Sequence, residues 1–281
     1  MPKTRQPTYA EVLTAAVQDM ADNGYDSPER VNFWLDKLRQ AAELSLKAPK
    51  VMEDILRDAM LAVYNRLVER GQIIDKYHFG VSRFTLEHVK PQLRAELDRR
   101  ILASASLIKN NRQEAVANTL KRFEGWATSI PKGGTEGQKK AKVKKDIKKA
   151  MGNVRFAERR VVIDQSHKLV SNLNDILATD GGALAGRWRS NWRQPGYDYR
   201  EDHKDRDGRV YTIRDNWALT QGLMKVGPDG YYDQITAAGE EVYCRCYIVY
   251  VYSLSGLPKD QLTAKGQMAL REARARLSNA A

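Results

Sequence analysis

Residues able to do chemistry gather at two places in this 281-residue chain. One is the run Tyr197-Asp-Tyr-Arg200-Glu-Asp-His203-Lys-Asp-Arg-Asp207-Gly208, where carboxylates and guanidinium groups surround a histidine beside a turn. The other is Cys244-Arg245-Cys246, which holds both cysteines of the chain. Three chemistries fit these residues. In the first, His203 acts as general acid or base while Arg200 or Lys204 stabilises a phosphorane, nuclease chemistry that needs no metal; Arg200, His203 and Asp207 are its catalytic candidates, and a single histidine in the run argues against it. In the second, Cys244 and Cys246 point to one side of a strand and join His203 and Asp207 as four zinc ligands. A second cysteine pair is missing, and Cys-x-Cys in an apolar strand reads as buried thiol, so the expectation is no metal and no cofactor. In the third, preferred reading the cluster specifies a fold: Arg200 and Asp207 pair within the loop, and Gly208 supplies the positive φ of the turn. Asp164 and Gln165 then anchor that loop to a helix, because a buried carboxylate needs donors. His78 and His88, set among helix residues, and His167, at helical spacing from Ile163, read as structural or solvated.

Charge is the other feature. Lys and Arg number 47 against 35 Asp and Glu, a formal +12 with a pI near 9.6, which calls for an acidic partner such as nucleic acid, headgroups or an acidic protein. Half of that excess sits between Gln138 and Met151, where Lys139, Lys140, Lys142, Lys144, Lys145, Lys148 and Lys149 face one acid, Asp146. No aromatic residue interleaves them, so contact with phosphates would be salt-sensitive and indifferent to sequence. A solvated helix face or a linker is the plainer account of the same run.

The two cysteines are too close in sequence to close a useful loop, which suits a reducing compartment. The basic start is followed by an amphipathic segment carrying Glu11 and Asp19, so no cleaved signal is expected. The apolar run Val242 to Tyr252 is interrupted by Arg245 and falls short of the roughly 20 residues of a membrane span; a soluble protein is expected.

The elements that would position these residues can be read from periodicity. From Thr8 to about Ala127 apolar residues recur at helical spacing, as in Ile55, Leu56, Ala59, Met60, Val63, Tyr64 and Leu67. Thr8, Ser27 and Thr85 are candidate N-caps, turns fall near Asn23-Gly24, Ala48-Pro49, Gly71 and Gly80, and Pro91 forces a kink or a later helix start. Ser129 to Gly137, with its proline and adjacent glycines, marks a boundary. Val154 to about Leu177 is helical again. Gly181-Gly182 and Gly186 lead into Arg187-Trp188-Arg189 and a loop, Gly208 to Ile213 forms a short strand, and Val242 to Tyr252, apolar on both faces, should be central in its sheet. A closing helix over Lys259 to Ala275 is broken or bent near Gly266.

Taken in order, Val161-Val-Ile-Asp164-Gln165-Ser-His-Lys168, then Trp188, then Arg200-Glu-Asp-His203-Lys-Asp-Arg-Asp207-Gly208, then Cys244-Arg245-Cys246 resemble the phage head-morphogenesis, or minor head, proteins typified by protein F of phage Mu. The resemblance covers about residues 154 to 255. Ile163 stands where many relatives carry Arg, and Gly239-Glu-Glu-Val-Tyr replaces a proline-rich approach to the cysteines. It implies that Asp164, Gln165, Trp188, Arg200, His203, Asp207, Gly208, Cys244 and Cys246 form a structural motif.

The expected architecture is α+β: a helical docking domain over 1–128, a Gly/Lys-rich linker over 129–152, and a head-morphogenesis domain over 153–281 with a small sheet on a helix. What the resemblance implies for function is a non-enzymatic minor virion protein of a tailed phage, acting in head assembly and DNA packaging. Its partners would be portal, major capsid or scaffold proteins, packaged DNA bound without sequence preference, and other copies of itself in the particle, with no membrane during assembly. It would sit in the head interior or portal region, and in the host cytoplasm during assembly. The alternatives are the His203 nuclease and a plain nucleic-acid-binding protein.

Overall fold

A computed structural model describes residues 5–72, 76–81, 84, 86–135 and 139–279. The chain is α+β, with helices predominating and one small antiparallel sheet. In order the elements are α1 (Tyr9–Asn23), α2 (Pro28–Ser45), α3 (Pro49–Tyr64), α4 (Lys90–Ala127), α5 (Lys140–Gly152), α6 (Val154–Asp180), β1 (Ala185–Arg189), α7 (Glu201–Asp205), β2 (Val210–Thr212), α8 (Trp217–Thr220), β3 (Tyr247–Val251) and α9 (Ala264–Asn279). Among the described residues no helix is long and apolar enough to cross a membrane.

The start signals act as their chemistry requires. Thr8 caps α1 in a full capping box with Glu11, its side chain accepting from the Glu11 N–H while Glu11 accepts from the Thr8 N–H. Ser27 caps α2 ahead of Pro28 at the first helical position. Helix α4 opens at Lys90, so Pro91 lies in its first turn, where a missing N–H costs nothing. Thr85 lies outside the described residues. His88 therefore precedes α4, with its Nε2 2.6 Å from Asp180 Oδ1, and His78 sits in a turn; neither is in a helix.

Two compact units emerge, and they interleave along the chain: Met1–Arg57 with Ile101–Val162, and Asp58–Arg100 with Ile163–Ala281. This differs from the sequential division at 129–152. The residues expected to be a linker are structured within the first unit. Gly133 N–H donates to Asn23 O at 3.0 Å, Thr135 N–H to Ala21 O at 2.9 Å, and Tyr25 N–H to Ile130 O at 3.2 Å, while Ile130 is buried. Gly133 supplies a positive φ, and Gly134 serves close approach. Gly134 has φ +79°, and a Cβ placed there would lie 2.3 Å from Ala21 O. The lysine run likewise is helix α5, whose buried Ile147 joins Leu13, Val17, Met20, Leu38 and Phe123 in one core, with Val143 and Met151 against it. Residues 136–138, the end of the expected break, lie outside the described residues.

In the second unit the strand order is β2-β1-β3, antiparallel throughout, with Trp188 opposite Ile248 and Gly186 opposite both Tyr211 and Tyr250. The central strand is thus β1, and the run expected to be central, β3, is an edge. Its apolar outer side is explained by a cover from elsewhere: Tyr250 N–H donates to Tyr77 O at 2.7 Å, and Lys76 Nζ lies 3.5 Å from the centre of the Tyr247 ring. Cys244 and Cys246 lie ahead of β3 in irregular backbone. Behind the sheet, Ala178 of α6 shares a core with Trp188, Tyr211, Ile248 and Tyr250. Gly266 does not break α9; it lets that helix approach Leu223, whose carbonyl oxygen would lie 1.9 Å from an added Cβ.

The hook of 129–135 onto α1 is tested by two neighbouring variants. Gly133 has φ +89° with nothing within 4 Å of an added Cβ, so Gly133→Ala should cost only the backbone term, about 1 kcal/mol. Gly134→Ala adds a collision with backbone and should cost about 3 kcal/mol. Urea unfolding of both reads the difference, and equal losses would remove the close approach.

Candidate functional site

His203 is carried on α7 with its ring 1% exposed. The five-residue helix begins after Arg200, in extended conformation at its N-cap, and ends at the turn that places Gly208 at φ +88°. There Gly208 N–H donates to Trp188 O at 2.9 Å and Trp188 N–H to Arg209 O at 2.9 Å, which ties α7 to β1. The expected role of Gly208 is met. Asp207 extends this tie one step past β1: its carboxylate accepts from Ser190 N–H at 3.0 Å and from Trp192 Nε1 at 3.2 Å. The expected pair between Arg200 and Asp207 is absent, because Asp207 faces these two donors. Arg200 turns instead to the segment before the cysteines, with Nε 2.6 Å from Glu241 Oε2 and Nη2 donating to Val242 O at 3.0 Å.

Asp164 and Gln165, on α6, also hold a different partner from the one expected. Asp164 Oδ1 accepts from Tyr243 N–H at 2.7 Å, and Tyr243 has φ +60°. A left-handed non-glycine residue persists only where its surroundings over-determine it, and this carboxylate is one of the determinants. Lys168 Nζ lies 3.3 Å from Asp164 Oδ2, both side chains buried, which supplies the countercharge. Gln165 donates to Asp164 and accepts from Arg100 Nη1 at 3.3 Å.

The approach held by Arg200 and Asp164 delivers both cysteines to His203. His203 Nδ1 lies 3.4 Å from Cys244 Sγ and 3.6 Å from Cys246 Sγ, and the three ligand atoms all lie within 4.8 Å of one another. On the other side His203 Nε2 is buried without a hydrogen bond, with Glu241 Oε1 at 3.6 Å and Asp202 Oδ2 at 3.8 Å. Trp188 packs edge-on against the imidazole at 5.3 Å between ring centres. Gly239 N–H donates to Cys244 Sγ at 3.4 Å, and Cys246 Sγ lies 3.7 Å from Ser190 Oγ. The Cys244 thiol is lowered to about 5, first by the hydrogen bond from Cys246, while Cys246 is raised by the same bond and by burial. Of the four residues considered for zinc, three come together, and Asp207 is excluded by its own hydrogen bonds. Among the described residues this is the one such group.

A second buried polar centre has no local signal in the sequence. Beneath β3, His78 Nε2 lies 2.8 Å from Asn174 Oδ1 and Nδ1 lies 2.7 Å from Tyr252 Oη, with the ring stacked on Tyr250; burial lowers the His78 pKa, so the ring is held neutral. Nearby, Asp175 accepts from Tyr232 Oη at 2.9 Å and from Tyr250 Oη. Burial raises the Asp175 carboxyl to about 6, against the pull of the two hydroxyls. Residues separated by almost a hundred positions meet here, a relation that periodicity does not carry. The seven lysines, by contrast, belong to the first unit: Lys139, Lys142, Lys145, Lys148 and Lys149 are exposed, and Lys140 lies 3.1 Å from Asp22 Oδ1.

No protein-family model, curated protein or solved structure matches the chain.

The Asp175 site makes a signed prediction. A carboxyl whose pKa is higher folded than unfolded takes up a proton on folding, so its stabilisation is complete below about 4 and is lost as pH rises through about 6. Asp175→Asn removes the titration while keeping an acceptor. Relative to the wild type the variant should therefore gain stability between pH 4 and 7, by on the order of 2 kcal/mol. Urea midpoints across that range measure it, and a difference that does not change with pH rules the assignment out.

Proposed function

We propose that the chain is a minor virion protein of a tailed bacteriophage, non-enzymatic, acting in head assembly and DNA packaging near the portal or the inner capsid surface. The observation that carries this reading is the convergence of the motif elements that resemble the minor head family. Asp164 holds the Tyr243 N–H, Arg200 holds Glu241 and Val242, Asp207 and Gly208 hold the C-terminal end of β1, and Trp188 and the cysteines enclose His203. Each residue contacts another part of the same motif, as residues that specify a fold do. The helical docking role of the N-terminal part belongs to this proposal, with portal, capsid or scaffold proteins as partners.

The nuclease alternative asks His203 to exchange a proton with a phosphodiester within hydrogen-bond reach. With the ring 1% exposed and its Nδ1 turned to the two thiols, the geometry favours the structural role. Purified protein should leave RNA and DNA intact, and cleavage lost in His203→Ala would reinstate the enzyme.

Cross-linking mass spectrometry on intact particles of the encoding phage is the direct experiment. The expected result is this chain in DNA-filled heads, linked to portal or inner shell; filled heads without it would overturn the proposal. The lysine face supplies a second prediction. Five exposed lysines on and beside α5 should give duplex DNA binding that falls with log salt at a slope of about −4. Changing Lys139, Lys142, Lys145, Lys148 and Lys149 to Gln should flatten that slope towards zero. An unchanged slope would place the phosphate contacts elsewhere.

A further inference from the structure

His203, Cys244 and Cys246 present three buried soft or borderline donor atoms to one point, and nothing in the structural reading of the motif requires them to converge so closely. Zinc bound by thiolate at about 2.3 Å and by imidazole at about 2.0 Å in a tetrahedron fixes the nitrogen-to-sulfur edge at about 3.5 Å. The two edges here are 3.4 Å and 3.6 Å. Both therefore match the polyhedron before any metal is added. We infer that His203 Nδ1, Cys244 Sγ and Cys246 Sγ are the protein ligands of a zinc ion that fastens α7 to the segment ahead of β3.

The surroundings have what such a site needs. A metal-bound imidazole presents its other N–H to a carboxylate. His203 Nε2 is buried without a hydrogen bond and faces Glu241 Oε1 at 3.6 Å, while Arg200 Nε holds the same carboxylate at 2.6 Å. Zinc ligation through Nδ1 leaves the ring proton on Nε2, and a small closure of the Glu241 contact completes its hydrogen bond. The sulfurs are prepared for negative charge: Gly239 N–H already donates to Cys244 Sγ. On binding, each thiol that still carries a proton releases it to solvent, so two thiolates and one dication leave no net charge in the buried site. Cys244 and Cys246 also line a cleft of about 160 Å³ whose other walls include His167, Ser171, Asn174 and Asn191. The fourth position goes to a water, the arrangement of zinc sites with three protein ligands. Thiolate sulfur with imidazole favours zinc over magnesium, calcium or manganese. The inference uses only these contacts and holds whether or not the chain is a virion protein.

The experiment uses the full chain, purified without chelator and reconstituted first with zinc and then with cobalt. About one zinc per chain should remain after desalting, and the two thiols should react with Ellman's reagent at least about tenfold faster once a strong chelator removes the metal. The cobalt form should show a thiolate-to-cobalt charge-transfer band with tetrahedral visible bands. Because Cys244 and Cys246 are the chain's two cysteines, that band identifies the ligands without a variant, even if substitutions here prevent folding. A folded Cys244→Ser/Cys246→Ser variant should lose the metal, while Lys50→Gln, exposed on α3, should keep it. Failure of the wild type to retain zinc, a cobalt spectrum without the thiolate band, or full retention by the double variant would each overturn the inference.

Discussion

A buried imidazole must find something to do with both of its nitrogens, and much of the second unit is organised around that requirement at His203. The ring is supplied by a five-residue helix too short to stand alone, so α7 exists only because its two ends are tied down. Gly208 and Arg209 fasten the exit to β1 through the Trp188 backbone, and Asp207 fastens it again through Ser190 and Trp192. On the opposite side the chain must turn back sharply enough to bring two thiols to one nitrogen. Tyr243 accepts a left-handed backbone to do so, held by Asp164. Loss of the central contact would therefore release two separately anchored segments, not one side chain.

The polar groups recruited to this task are arranged in chains. Arg200 holds Glu241, which faces His203, which faces the sulfurs; Arg100 holds Gln165, which holds Asp164, which holds Tyr243. Buried networks of this kind fix one geometry when every member is satisfied and are costly when one is not. The sheet itself is small, and its register is set as much by these chains as by its ladder. Its exposed edge is capped by Tyr77 and Lys76, which removes a template for pairing with another chain.

Local chemistry made a good part of this legible in advance. Thr8 and Ser27 announce helices through their hydroxyls and the residues that follow, Val210 to Thr212 reads as a strand, and the α+β class follows from the change of period near residue 180. What escaped was non-local. Gly133 and Gly134 looked like freedom because their use, a hydrogen bond to Asn23 and a close passage by Ala21, lies more than a hundred residues away. The lysine run hid an apolar stripe, Val143, Ile147 and Met151, whose four-residue spacing was in plain view. The two apolar faces of β3 implied a central strand, whereas its second cover comes from residues 76–78, which carry no mark of that role. At the site the residue types were right and the partners were not: Arg200 and Asp207, read as a pair, serve opposite walls.

The burial of Ile147 has one more consequence. A lysine-rich tail ordinarily surrenders backbone freedom when it settles on a polyanion, and that ordering entropy opposes binding. Helix α5 has already surrendered it on folding. Its exposed ammonium groups, those of Lys142, Lys145, Lys148 and Lys149, are carried on a folded helix. Such a helix would meet a polyanion at no further backbone cost. The lysine run is thus already ordered for the acidic partner proposed for it.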